Sequence, residues 1–292
     1  MRASGYSVTA LQRHGYVFVA PTLILFSVFL IYPMLSAFDL SLFDWNLISA
    51  KRFVGLKNFR LMLQDPMVVN SYVRTLSFCA LTVIATNVLA FVFALMLQSN
   101  LAKAKNFLQS LIFLPVVLSL VAVGVVWELM FQSTGLISMA VRSIFGFSPA
   151  WLTDTRAAPY AMVIIATWKS VGFYMIMYIA GLLDIPETYY EAARIDGAGF
   201  WRQLTRITVP SLRNTFVLTI VSSIIFSFGQ FAIQYVITKG GPSHSTEILA
   251  LLIYRQGFEL YKFGYSSALS VLFFMTLLVF SVIQLKLMRA GE

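Results

Sequence analysis

Six long apolar stretches separated by polar links restrict this sequence to few architectures. They cover residues 16–38, 75–97, 107–127, 160–183, 216–237 and 265–285. A helix needs about 20 apolar residues to cross the roughly 30 Å hydrocarbon layer of a bilayer. A transmembrane barrel would show shorter segments of alternating polarity, which this sequence lacks. The stretches therefore predict an all-α, polytopic membrane protein with six transmembrane helices.

The composition agrees with a chain that lies in a bilayer. Charged residues make up 11% of the 292 residues and hydrophobic residues 59%, whereas charged residues average about 25% in soluble domains. The formal net charge of +9 comes from basic residues scattered through the links. This pattern indicates contact with membrane lipid headgroups, and we expect no nucleic-acid partner. With one cysteine, Cys79, and two histidines, we expect neither an internal disulfide nor a metal site.

The first apolar stretch is expected to be a retained span. It runs without a charge from Tyr16 to Phe38, which exceeds the roughly 7–15 apolar residues of a signal peptide, and no small-residue cleavage site follows. We therefore expect an N-terminal tail at 1–15, a membrane domain at 16–287 and a C-terminal tail at 288–292. Six crossings place both tails on the same side of the membrane.

The basic residues only weakly indicate which side that is. Ten Lys and Arg residues fall in the segments on each side of the predicted spans. The segments on the side of the N-terminus are shorter, so their density of positive charge is higher. The positive-inside rule therefore favours a cytoplasmic N-terminus.

One of the links on that side, residues 184–215, has a helical pattern of its own. Pro186 suits a first helical turn, where Glu187 meets the positive end of the helix dipole. Gly197 can adopt the left-handed conformation that ends a helix, and Pro210 is expected to stop a second one. The pattern predicts two short helices around a glycine elbow. Their apolar side chains are those of Ile195, Phe200, Trp201, Leu204 and Ile207. From the residues alone, an ordinary loop whose aromatic side chains pack on the spans is an equal alternative.

The same link resembles the EAA loop of binding-protein-dependent ABC importer permeases. The spaced pattern of that family is present as Glu191-Ala192-Ala193, Gly197, Ile207 and Pro210. Val209 stands where the family has Leu, and Asp196-Gly197-Ala198 is typical of the sugar-importing branch, to which the maltose-transporter permeases belong. Further matches are a VGLxNF-like stretch at 54–59, Leu114-Pro115, Trp168-Lys169 and Gly240-Gly241-Pro242. The sequence looks more like the F partner of the maltose-permease pair than the G partner.

The resemblance implies a type I ABC importer fold and a set of partners. The loop at 184–215 would be cytoplasmic and would dock on an ATPase subunit. The coupling residues would be Glu191, Ala192, Ala193, Asp196, Gly197 and Ala198. A second permease subunit, two ATPase subunits and an extracytoplasmic sugar-binding protein would complete the transporter in a bacterial inner membrane, with both termini cytoplasmic. The chain lacks a G-x-x-x-x-G-K-[ST] phosphate loop, so we expect ATP and Mg²⁺ to bind to the partner ATPase subunits and no cofactor to bind here.

The fifth and fourth apolar stretches supply candidates for a sugar pathway. Ser223, Phe226, Ser227 and Gln230 follow an i, i+3, i+4, i+7 spacing, which places them on one face of a helix. By resemblance they match the positions at which the maltose permease contacts its sugar, although that relative has Asn at the last two. In the fourth stretch the candidates are Lys169, Ser170, Phe173 and Tyr174. Two alternatives stay open: the polar residues only join helices, or Lys169 serves an anionic sugar.

Two other classes of membrane protein fit the residues less well. A secondary transporter driven by an ion gradient would show inverted repeats and carboxylates within the spans. A membrane enzyme would need a Ser–His pair or paired carboxylates there. No apolar stretch contains Asp, Glu or His at its centre. The sequence thus predicts a permease subunit without catalytic residues, and the secondary transporter is the alternative function.

Overall fold

The computed structural model describes residues 8–98 and 104–289, and this part of the chain is mostly helical. Fifteen α-helices and one pair of short strands are defined in it. The helices are α1 (Val8–Phe26), α2 (Tyr32–Leu40), α3 (Lys57–Gln64), α4 (Pro66–Gln98), α5 (Lys105–Val117), α6 (Leu120–Phe131), α7 (Leu136–Phe145), α8 (Ala158–Leu183), α9 (Glu187–Ile195), α10 (Phe200–Gln203), α11 (Val209–Ser211), α12 (Arg213–Gly229), α13 (Ala232–Ile237), α14 (Leu249–Tyr254) and α15 (Phe263–Arg289). Strands β1 (Phe43–Asp44) and β2 (Arg52–Phe53) pair antiparallel.

Six helical segments among the described residues are long and apolar enough to cross a membrane, as the sequence predicted. They are Val17–Leu40, Pro66–Gln98, Leu120–Phe145, Ala158–Leu183, Arg213–Ile237 and Phe263–Ile283. The outer boundaries differ from the predicted ones. Helix α1 begins at Val8, inside the predicted tail 1–15, and α15 continues to Arg289. The remaining tail residues, 1–7 and 290–292, lie outside the described part.

The third predicted span, 107–127, is interrupted in the structure. Helix α5 ends at Val117, Leu118 has an extended backbone with φ −70° and ψ 144°, and α6 begins at Leu120. Pro115 promotes the break because its ring displaces the carbonyl one turn earlier and it has no N–H to donate. The prediction of one continuous helix here was therefore wrong.

The described chain divides into two compact units. The first comprises the residues up to Gln64 together with Ile253–Leu272. Within it, the side chain of Asn58 donates hydrogen bonds to the carbonyls of Ser41 and Phe43, both at 2.9 Å. The backbone N–H of Phe263 donates to the carbonyl of Trp45 at 3.0 Å. The first two bonds attach α3 to the first strand, and the third attaches the end of that strand to the beginning of α15.

The second unit comprises Asp65–Leu252 and the residues from Phe273 onwards, and α8 is its central helix. Small residues let other helices approach α8 closely. A methyl group at Gly172 would lie 2.3 Å from the carbonyl oxygen of Ile112 in α5. A methyl group at Gly181 would lie 2.4 Å from the hydroxyl of Thr215 in α12. The backbone of α5 and side chains at the start of α12 therefore pack directly on α8, whose apolar residues form a buried core with those of α4. Ala90, Ala94, Val171, Met175 and Tyr178 belong to this core.

Candidate coupling loop and substrate pathway

The link between α8 and α12 forms the predicted glycine elbow. Helix α9 ends at Ile195, and Gly197 adopts a left-handed conformation with φ +73°. The N–H of Ala198 then donates to the carbonyl of Ala193 at 2.8 Å, which closes the helix end in the manner of a Schellman motif. The side-chain amide of Gln203 donates to the carbonyl of Ala198 at 2.7 Å and so ties α10 to the elbow.

The predicted coupling residues all lie at this elbow. Glu191, Ala192, Asp196 and Gly197 are exposed, and Ala193 and Ala198 are half-buried. No atom of the described chain outside its immediate neighbours lies within 4 Å of a methyl group built at Gly197. A partner could therefore approach the backbone here without displacing any described part of the chain.

Large apolar side chains surround the elbow and are not covered by the other described residues. Ile195 is 87% exposed and Trp201 is 74% exposed, with Phe200 edge-on to the Trp201 ring at 5.5 Å between centroids. Leu204 and Ile207, which the sequence placed on the same apolar face, are half-buried. The ordinary-loop alternative required the aromatic side chains to pack on the spans, and Phe200 and Trp201 do not. The exposed set defines what we call the elbow patch: Ile195, Phe200 and Trp201.

Pro210 does not stop the second helix, contrary to the prediction. A π-helical turn at Leu204–Thr208 precedes it, and Pro210 lies in the first turn of α11. The wider turn leaves room for the ring and shifts the hydrogen bonds by one residue, so that the N–H of Val209 donates to the carbonyl of Leu204. The chain bends two residues later, at Leu212, which is 1% exposed and begins α12.

Five of the predicted pathway residues line one cavity of about 330 Å³. The cavity lies between α5, α8 and α12. Its lining consists of Lys169, Ser170, Phe173, Tyr174 and Phe226 together with Val116. We call it the pathway cavity. The structure thus brings the candidates from the fourth and fifth spans together, with Phe226 as the contribution from the fifth.

The other three candidates in the fifth span are arranged differently from the prediction. Helix α12 ends at Gly229, so Gln230 leaves the helical register with φ −82° and ψ 75° and does not continue the face. Ser227 is buried, as is Ser223. The side-chain amide of Asn87 donates to the hydroxyl of Ser223 at 2.9 Å. In this conformation Ser223 therefore joins helices α4 and α12, which is the helix-joining alternative that the sequence left open.

Asn87 anchors a buried polar network that the sequence reasoning missed. The hydroxyl of Tyr178 donates to the Asn87 side-chain oxygen at 2.9 Å and accepts from the hydroxyl of Thr219 at 2.7 Å. The network connects α4, α8 and α12 in the apolar core, where such bonds replace contacts that water would supply elsewhere. The one available signal was an amide within the second apolar stretch, since polar groups inside spans are costly and face other helices.

Lys169 fills the gap left by the broken third span. Its ammonium group donates to the carbonyls of Pro115 at 3.2 Å, Val116 at 3.5 Å and Leu118 at 2.9 Å. An ammonium has three N–H groups, so these three contacts use its donor capacity. These hydrogen bonds to the helix break explain how a lysine can lie within the span. No anionic ligand is needed to explain its position.

Comparison with known proteins assigns the family. A family model described as "Binding-protein-dependent transport system inner membrane component" matches residues 86–289. The trehalose/maltose transport system permease protein MalF of Thermococcus litoralis is 34% identical over 278 residues, which cover 94% of this chain and 93% of the relative. The lactose transport system permease protein LacF of Rhizobium radiobacter is 32% identical over 287 residues, which cover 95% and 96%.

A solved structure has the same fold. It is the crystal structure of a bacterial alginate ABC transporter in complex with alginate pentasaccharide-bound periplasmic protein, and its matching chain has a TM-score of 0.79 at 22% identity. The alignment covers 92% of this chain and 91% of that one. Together with the six apolar spans, the family match shows that this chain belongs to the inner membrane components of binding-protein-dependent transport systems, and that it is a multi-pass permease of an ABC importer.

Proposed function

We propose that this permease imports a sugar or sugar derivative, using ATP hydrolysed by two partner ATPase subunits. The relatives are named for trehalose, maltose and lactose transport, and the chain is similar to them along nearly its whole length. A second permease subunit would complete the pathway, and an extracytoplasmic binding protein would deliver the sugar. Both termini and the EAA loop would then lie on the cytoplasmic side.

The observation that carries the proposal is the exposed elbow patch. Ile195, Phe200 and Trp201 expose apolar surface in a link that lies outside the spans, and such surfaces mark contacts with other proteins. Because a short helix such as α9 is only marginally stable alone, docking would also hold it in place. A cleft on an ATPase subunit is the partner that the family relationship suggests.

The structure offers a direct route from the elbow to the spans. Leu212, buried at the end of the link, accepts a hydrogen bond from the N–H of Phe216 at 2.8 Å and so begins α12. On the other side of the link, Gly181 lets α8 contact Leu212 and Thr215 without an intervening side chain. When the ATPase subunits close and pull on the elbow, α8 and α12 would move with it. These two helices supply most of the lining of the pathway cavity, so the movement would change access to the sugar.

Cross-linking tests whether the elbow docks on an ATPase subunit. We expect a cysteine at Ala192 or Ala198 to capture a nucleotide-hydrolysing subunit through a short bifunctional reagent, because both residues lie on the proposed contact. The captured protein would be identified by mass spectrometry after trapping in intact cells. A cysteine at Ala50, exposed in another link, serves as the matched control and should capture no such subunit. Capture from Ala50 alone, or labelling of Ala192 only from outside the cell, would contradict the docking and the orientation.

Sugar-stimulated ATPase activity tests the proposed pathway residues. In the complete transporter, we expect Ser227→Ala and Gln230→Ala each to raise the sugar concentration for half-maximal stimulation by about 5- to 10-fold. An effect of this size corresponds to the loss of one hydrogen bond to the sugar. Ser222→Ala is the matched control in the same helix and should leave this concentration unchanged. Unchanged half-saturation in both variants would remove Ser227 and Gln230 from the sugar site.

A further inference from the structure

A second cavity, of about 650 Å³, lies between the first half of α4, the beginning of α8 and residues 234–248, and no residue of the coupling loop lines it. We call it the outer cavity, since under the proposed orientation this end of both helices faces the outside. Its floor contains the buried side chains of Gln234 and Ser245, and its edge contains Arg74 and Arg156. The residues that line the outer cavity and those that line the pathway cavity do not overlap.

The floor carries polar atoms without a partner. Gln234 is fully buried, yet both the nitrogen and the oxygen of its side-chain amide lack a hydrogen bond within the described chain. The buried hydroxyl of Ser245 lacks one as well. Buried polar groups in proteins are almost always paired, because leaving one unpaired costs about 1–3 kcal/mol. Three such atoms border one cavity, and a ligand that both donates and accepts hydrogen bonds would pair them once their side chains turn towards it.

The edge of the cavity is cationic. Arg74 and Arg156 are the charged residues that line it, and neither guanidinium group forms an ion pair or hydrogen bond within the described residues. The neighbouring carboxylate of Asp154 accepts instead from the backbone N–H of Arg156 at 2.7 Å. Two free guanidinium groups favour a ligand with a carboxylate or a similar oxyanion, which the planar arginine fork binds through two parallel hydrogen bonds.

We propose that the outer cavity binds an acidic saccharide. Its carboxylates would pair with Arg74 and Arg156, and its ring hydroxyls would donate to and accept from Gln234 and Ser245. The rings would lie against exposed apolar side chains that also line the cavity, among them Leu81 and Tyr160. This inference rests on the proposed function, because it narrows the class of sugar that the permease would receive from its binding protein.

Lipid phosphate is the other source of an oxyanion at this position. A phosphodiester only accepts hydrogen bonds, so it would satisfy the arginines and the Gln234 nitrogen but not the Gln234 oxygen. A sugar hydroxyl satisfies both amide atoms. The unpaired amide oxygen therefore favours the saccharide over a phosphodiester group. A headgroup with donors of its own, such as the glycerol hydroxyls of phosphatidylglycerol, is distinguished by the binding experiment.

Binding of a matched pair of disaccharides tests the proposal. The full-length chain, with the subunits that co-purify with it, would be placed in nanodiscs of phosphatidylcholine, and binding of labelled digalacturonic acid and neutral galactobiose would be measured. We expect digalacturonic acid to bind at least about tenfold more tightly than galactobiose. Arg74→Gln and Arg156→Gln should each weaken the binding of digalacturonic acid by about tenfold, because each removes one charge-assisted hydrogen bond. Arg60→Gln, an exposed arginine elsewhere, should change nothing.

Three results would overturn the proposal. Equal binding of the acidic and neutral disaccharides would show that the arginines do not distinguish a charged ligand from a neutral one. Equal binding of digalacturonic acid and inorganic phosphate would show a site for any anion. Displacement of digalacturonic acid when phosphatidylglycerol replaces a third of the lipid would assign the cavity to a headgroup. If any of these occurs while cysteine at Ala192 still captures the ATPase subunit, the proposed import function stands and only the substrate class falls.

Discussion

Gly197→Asp is expected to lower ATP-dependent sugar uptake by at least about 100-fold in a permease that still folds and inserts. A hundredfold loss corresponds to about 2.7 kcal/mol, and a carboxylate forced into a close protein contact without a partner costs at least that much. No described residue of the permease opposes the new side chain, since the space around Gly197 is open. The left-handed backbone adds about 1–2 kcal/mol of local strain for a residue with a Cβ. Uptake of labelled sugar, normalised to the amount of inserted permease, measures the effect.

Gly146→Asp separates the docking contact from the strain. Gly146 ends α7 with φ +76°, and a methyl group there also meets no atom within 4 Å. It is exposed in another link, so the same substitution adds the same strain and charge away from the elbow. We expect Gly146→Asp to retain most of the uptake. If both variants lose uptake equally, the loss comes from backbone strain, and the coupling role of Gly197 is wrong.

The elbow could be predicted from the sequence because its determinants are local. Two alanines, a glycine and an initial proline within some twelve residues dictate a short helix and its left-handed end, and the structure confirms both. The six spans were predictable for a similar reason, since hydropathy over about 20 residues is a property of the segment itself. The exposure of the elbow patch required the structure, because an amphipathic sequence does not reveal whether its own spans cover it.

The errors concern places where a distant residue decides the local conformation. Pro115 alone does not end a membrane helix, because neighbouring helices can pair the freed groups in several ways. At the break, the carbonyl of Leu118 accepts a hydrogen bond from Lys169, which lies some fifty residues later in the chain. Similarly, Ser223 was placed by its helical spacing, whereas its hydrogen bond to Asn87 comes from another helix. Long-range pairs of this kind leave no periodic signal in a single sequence.

Lys169→Met should lower the free energy of unfolding by about 2–4 kcal/mol, because it removes the donor from carbonyls that the broken helix exposes. The carbonyl of Pro115 also accepts from the N–H of Leu118 at 3.3 Å and keeps a partner. For Val116 and Leu118, the ammonium group is the donor seen in the described chain. Methionine has a similar length and no N–H group, so the variant tests the hydrogen bonds rather than the volume. Unfolding in mixed micelles, followed by denaturant titration, measures the change.

Two further variants decide between support of the helix break and recognition of an anion. Lys169→Arg retains the charge and several donors and should recover at least half of the lost stability, whereas Lys57→Met, at an exposed position, should leave stability unchanged. The supporting role also predicts that uptake of neutral and acidic sugars falls together in Lys169→Met, because both depend on the same shape of the pathway cavity. A selective loss of acidic sugars at unchanged stability would mean that Lys169 binds the substrate, and that the carbonyls of α5 hold it only until the sugar arrives.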